Sequence, residues 1–155
     1  MKIAVFGNTY RPVILTHIQV LLDFFNEREA TILLEKDLYD FVKESEVCCM
    51  SGAEIISNKD FEADVALSIG GDGTFLNTAA HVGSKGIPIL GINTGRLGFL
   101  ADIPGDNMLP ALEAIMNQNF RIEERSVLHI TTSDETEFEY PYALNEVSVL
   151  KQDSS

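Results

Sequence analysis

The stretch from Asp64 to Ala80, DVALSIGGDGTFLNTAA, limits what this chain can fold into more than any other. Val65 to Ile69 is a short apolar run with a charge before it and glycines after it, the pattern of a strand buried on both faces of a parallel sheet. Gly70, Gly71, Asp72 and Gly73 follow, and then Phe75, Leu76, Ala79 and Ala80 fall at helical spacing. A strand that meets a helix through so tight a Gly-rich turn lets backbone N–H groups approach an anion at the positive end of the helix dipole. Two common phosphate loops are excluded. No lysine lies between Lys59 and Lys85 to end a Walker A loop, and a dinucleotide fingerprint begun at Gly71 needs glycine where Leu76 stands. What is left is a carboxylate, Asp72, among glycines at the carboxyl end of a strand. Taken alone, this is equally a sharp turn with Asp72 as a helix N-cap.

The flanking sequence keeps the same rhythm. Lys2 to Gly7, Thr31 to Leu34 and Ile87 to Ile92 read as further buried strands. Apolar residues at 14, 15, 18, 21, 22 and 25 predict a helix ending near Asn26, and Asp37 can cap a short helix carrying Leu38, Phe41 and Val42. Thr74 to Val82 reads as the helix after the Asp72 turn, ended by Gly83 and Gly86. Asn107 to Asn117 reads as a helix with Leu109, Leu112, Ile115 and Met116 on one side and Pro110 in its first turn. Val47 to Asp60 is a weakly patterned loop with at most a helical turn, long enough to serve as a lid. Asn93 to Leu100, NTGRLGFL, is a second Gly-punctuated loop at a strand's carboxyl end. It would share the sheet edge of the Asp72 turn, where open α/β sheets bind ligands. The expected fold class is α/β, a Rossmann-like open parallel sheet with flanking helices.

After Phe120 the texture changes. Arg121 to Thr132 and Glu137 to Lys151 alternate, with Phe138, Tyr140 and Tyr142 pointing one way, so two long antiparallel strands joined by a polar turn at Ser133 to Thr136 are expected. Two strands are too few for a stable module. The expectation is therefore an α/β domain over residues 1–118 and the first strands of an all-β domain over 119–155, from a truncated protein.

A chain of 155 residues with a net charge of −13 suits no nucleic-acid partner, since phosphates would meet a repulsive field. A nucleotide substrate stays allowed, because magnesium offsets charge locally. No apolar run is long enough to span a bilayer, and Lys2, Asn8, Arg11 and His17 interrupt any signal-peptide core, so no membrane partner and a cytoplasmic location are expected. Adjacent Cys48 and Cys49 have no metal-ligand spacing, and no metal-ligating residues are assigned.

Within the last alternating stretch, ALNEV places the polar pair Asn145-Glu146 among apolar neighbours. Taken alone the pair reads first as one residue in solvent and one at a strand bend, though an amide beside a carboxylate also suits a sugar hydroxyl or an adenine edge. With IGGDGTFLNTAA (69–80) and GINTGRLGFLAD (91–102), it completes a set of motifs whose order and spacing resemble the NAD kinase family. The Gly-Gly-Asp-Gly turn is shared with lipid kinases of the diacylglycerol and sphingosine type and with phosphofructokinases. In the lipid kinases an Asn-Glu pair follows within the same helix, whereas here it comes only at 145–146.

The resemblance implies transfer of a phosphoryl group from ATP, or polyphosphate in some members, to the 2′-hydroxyl of the adenosine ribose of NAD, with magnesium as cofactor. By the same resemblance Asp72 is the general base, and Gly73, Leu76, Asn77, Phe99, Asn145 and Glu146 contact nucleotide. Asn77 stands where several members carry Arg or His, a departure that leaves its role open. The family also implies a homo-oligomer, dimer or tetramer, when full length, and NAD contacts from later sequence, so these residues alone are expected to have little activity. A lipid kinase of the same superfamily and a non-catalytic nucleotide-binding domain are the alternatives.

Overall fold

The computed structural model describes residues 1–46, 50, 52–95, 98–133, 138–144 and 146–148. Its frame is a six-stranded parallel sheet of β1 (Lys2–Gly7), β2 (Thr31–Leu34), β3 (Ala53–Ile55), β4 (Val65–Gly70), β5 (Ile89–Asn93) and β6 (Ile103–Pro104). Their spatial order is β3-β2-β1-β4-β5-β6. β4 is buried along its whole length, which explains why its sequence is apolar rather than alternating.

Helices α1 (Ile14–Asn26), α2 (Lys36–Ser45), α3 (Asp72–Val82) and α4 (Met108–Met116) cover the sheet. Alternation along each strand sends Ile3, Val5, Ile32, Leu34, Leu67 and Ile69 to one face, where α1, α2 and α4 bury Ile18, Leu22, Leu38 and Leu112 against them. Each such side chain contributes about 1.5–3 kcal/mol by leaving water. Ala4, Phe6 and Ala66 point the other way and pack with Phe61 and with Val82 of α3. The connection leaving β1 thus covers one face and the connection leaving β4 covers the other. The crevice between these neighbouring strands is the topological switch point, where open α/β sheets take their ligands.

A short antiparallel ribbon, β7 (Val127–His129) and β8 (Tyr142–Leu144), lies against α3. It docks through Tyr142, whose ring occupies the space a Cβ at Gly83 would need, while its hydroxyl pairs with Ser84 Oγ at 3.2 Å. Gly83 has φ +55, so this tight helix exit and the ring packing both call for glycine. Tyr140 stacks on His81 at a centroid distance of 3.8 Å.

The α/β class and the main elements are as the sequence predicts, with several local differences. Among the described residues the two expected long strands pair over three residues each, because a two-stranded ribbon has no further neighbour to extend against. The expected loop before Asp60 contains β3, paired parallel to β2; its half-exposed edge position hides the apolar signal. β6, two residues long, carries no readable period. The α2 cap is Glu35 rather than Asp37: its carboxylate accepts the N–H groups of Asp37 and Leu38, each at 3.0 Å. In α4 the buried stripe is Met108, Leu112 and Ile115, and Leu109 is exposed because its position faces away from the sheet. Cys48, Cys49 and most of the expected turn at Ser133 to Thr136 lie outside the described residues.

Candidate active site

The carboxyl ends of β1, β4 and β5 are laced into one edge. The Asn8 N–H donates to the Ile69 carbonyl at 3.1 Å, and the Thr94 N–H donates to the Gly70 carbonyl at 3.1 Å, extending the ladders past the strands. Gly71 is the residue before α3, with extended backbone and no side chain to cap the helix. Asp72 is the first residue of α3, so the reading of Asp72 as an N-cap does not hold.

Instead, Asp72 reaches across to the second glycine loop. Its Oδ2 accepts the N–H of Phe99 at 2.9 Å, and its Oδ1 accepts those of Leu100 at 3.0 Å and Ala101 at 3.2 Å. The N–H groups of Phe99, Leu100 and Ala101, in that order, hold its carboxyl below the ordinary aspartate value, because each favours the charged form. A carboxylate has about four acceptor positions, so three donors leave one for a further donor.

Asn93 ties the same loop from the β5 side. Buried to 4% exposure, it accepts the Gly95 N–H at 2.8 Å and donates from Nδ2 to the Ala101 carbonyl at 3.2 Å. Sequence reasoning missed Asn93 as part of this arrangement. The signal was present in Asn93-Thr94-Gly95, a side chain positioned to bond its own backbone two residues on. With its backbone pinned, Phe99 projects its ring into solvent at 96% exposure.

The glycines of the Asp72 turn do different things. A Cβ at Gly70 would lie 2.8 Å from Thr74 Cβ, so that position is filled by the protein. Among the described residues, a Cβ on Gly71 or Gly73 would meet nothing within 4 Å. Beside the turn, a groove of about 750 Å³ runs along α3, β5 and α4; Phe99 and Leu100 line it, and Asp72 is not among its described lining.

Asp72, Gly73 and Phe99 are therefore brought together by the fold. Leu76, at 43% exposure, and Asn77 follow on the next turn of α3 with outward-facing side chains. Glu146 is exposed just beyond β8, on the ribbon that packs against α3, and its N–H donates to the Leu144 carbonyl. Asn145 lies outside the described residues. Among the described residues no helix is long and apolar enough to cross a membrane, and no group of three or more His, Cys, Asp or Glu is arranged to hold a metal ion.

Residues 18–120 match the family model described as the ATP-NAD kinase N-terminal domain. The chain is 43% identical over 155 residues to an NAD kinase of Bacteroides fragilis, covering all of this chain and 53% of that protein. It is 35% identical over 159 residues to an NAD kinase of Flavobacterium johnsoniae, covering all of this chain and 54% of that one. The chain thus spans about half the length of these relatives. The crystal structure of yeast NADH kinase complexed with NADH superposes with a TM-score of 0.73 at 14% identity, over 93% of this chain and 46% of that one, a likeness of fold. On the match across residues 18–120 and the relatives aligned along its whole length, this chain belongs to the NAD kinase family.

Proposed function

We propose that the full-length protein transfers a phosphoryl group from ATP to the 2′-hydroxyl of the adenosine ribose of NAD, with Asp72 as the general base. The observation that carries this reading is the state of Asp72, an ionised carboxylate at the switch point with three backbone donors and one acceptor position left. A ribose hydroxyl donating to that position would be held against the base. Its proton passes to the carboxylate as the new P–O bond forms, help worth roughly 10²–10⁴-fold. A carboxylate stabilised by three N–H groups is a weak base toward a free hydroxyl. That suits phosphoryl transfer, in which the hydroxyl becomes acidic only as bonding to phosphorus develops and most of the catalysis is positioning and charge neutralisation.

Around this centre, the open space over Gly71 and Gly73 admits phosphates close to the backbone. Phe99, Leu76 and Asn77 contact nucleotide, and Asn145 with Glu146 grips NAD from the second domain. The proposed division is 1–118 and 119–155. Magnesium carried on the nucleotide phosphates would neutralise charge there. On this reading the site is completed by residues other than these, and these residues alone have little activity. Cytoplasmic location and a homo-oligomeric full-length protein belong to the same reading.

The test is NADP formation by the full-length protein with ATP and magnesium, with diacylglycerol offered beside NAD. Turnover of NAD that falls by orders of magnitude in Asp72→Asn while NAD binding persists is the expected result. Phosphorylation of the lipid instead, or turnover unchanged in the variant, would overturn it.

A further inference from the structure

We propose that Gly98 is a positioning residue for Asp72, and that the loop it belongs to, braced by Asn93, aims the carboxylate. This rests on the reading of Asp72 as the base. A Cβ at Gly98 would lie 2.6 Å from Asp72 Cγ and 2.7 Å from Oδ2, so only glycine lets the loop come close enough for its next three N–H groups to reach the carboxylate. The donors come from consecutive residues, Phe99, Leu100 and Ala101, so their approach is set by where the chain passes at Gly98. The obstruction is the functional carboxylate itself, not the flexible end of a bystander side chain.

Asn93 closes the arrangement from behind. Its bonds to the Gly95 N–H and the Ala101 carbonyl hold both ends of the loop against β5, and its burial leaves it little freedom to give way. The loop cannot back off to accommodate a Cβ at Gly98 without breaking these bonds, so the Asp72 side chain must turn instead. Turning it takes the free acceptor position away from the incoming hydroxyl. An error of about 1 Å at a reacting group is enough to cost on the order of 10²-fold in rate.

The experiment is a double-mutant cycle in the full-length protein with ATP, magnesium and NAD. Gly98→Ala should lower kcat by roughly 10- to 100-fold while KM for NAD changes less than about threefold. In an Asp72→Asn background the same substitution should cost less than about twofold, because a residue that acts only through Asp72 has nothing left to act on. A full penalty in both backgrounds would assign Gly98 a merely structural role and overturn the proposal, as would unchanged kcat in Gly98→Ala. If Gly98→Ala does not fold, Asn93→Asp takes its place. It keeps an acceptor for the Gly95 N–H and loses the donor to Ala101, and its smaller loss of kcat should likewise vanish in the Asp72→Asn background; persistence there overturns the proposal. Asp72→Asn alone separates the two readings: full activity in that variant refutes the base and not the geometry of the loop.

Discussion

The two glycine loops of this edge carry the same residue for opposite reasons. In the Asp72 turn, Gly71 and Gly73 face open space, so no described residue needs them small. In β5 and the loop that follows it, each glycine makes room for the protein itself: Gly91 of the strand for Ala101 and Phe75, then Gly95 for Arg11 and Gly98 for Asp72. Past Gly70, which Thr74 fills, the glycines of the first turn are left open, while those of the second segment are filled. The difference teaches where a ligand is to be sought, on the side of the sheet edge where missing side chains are not replaced by neighbours.

Substitutions can break this contrast, beginning with the residue that joins the loops. Asp72→Asn in the full-length protein should reduce kcat by roughly 10²–10⁴-fold with NAD binding kept, as read from NADP formation and a binding titration. On the filled side, Gly91→Ala places a Cβ 2.7 Å from the Ala101 Cα, a backbone atom that cannot swing aside. Denaturant unfolding should register a loss of about 1–3 kcal/mol, and an unchanged midpoint would mean that β5 and the chain at Ala101 can part to admit a methyl group. On the empty side, Gly71→Ala and Gly73→Ala should leave the melting temperature unchanged or slightly higher. They should raise KM for nucleotide by roughly tenfold, about 1.4 kcal/mol of binding. A stability loss with unaltered KM would erase the contrast between the loops.

Two smaller effects sharpen it. The carboxyl of Asp72 is held below its ordinary value of 3.8 by the Phe99, Leu100 and Ala101 N–H groups. The tie therefore contributes stability above that pH and loses it as pH falls through the lowered value. Thermal melts of Asp72→Asn should accordingly show a shallower decline on acidification than those of the parent. The smallest change concerns β4, the strand that feeds the turn. Among the described residues Ser68 Oγ is buried without a hydrogen-bond partner. Ser68→Ala should leave stability within about 1 kcal/mol, in the stabilising direction, since an unsatisfied hydroxyl has already lost its water.

Much of the fold was legible because burial writes itself into the pattern of residues. β1, β4 and the helix α1 follow their apolar periods almost to the residue, whereas α3 forms where expected but buries Thr78, Ala79 and Val82 and leaves Leu76 exposed. The misses among the strands share a cause. β3 and β6 are short strands at the two ends of the sheet, and their pairing comes from a neighbour rather than from their own side chains. The ribbon alternates well beyond the residues that pair, since alternation records a tendency and pairing needs a partner.

At the site, the sequence by itself determined the chemistry available: a carboxylate at a strand-to-helix turn, glycines around it, and a second glycine loop bound for the same edge. It could not say that Asp72 leaves its own helix uncapped and takes three N–H groups from residues 99–101, nor that Asn93 braces them. Nor could it say which glycines are empty and which are filled. Such facts depend on atoms distant in the chain arriving within 3 Å or so of one another. Local pattern encodes which residues are buried, while the approach of one backbone to one side chain is decided only when the packed sheet brings β4 and β5 side by side.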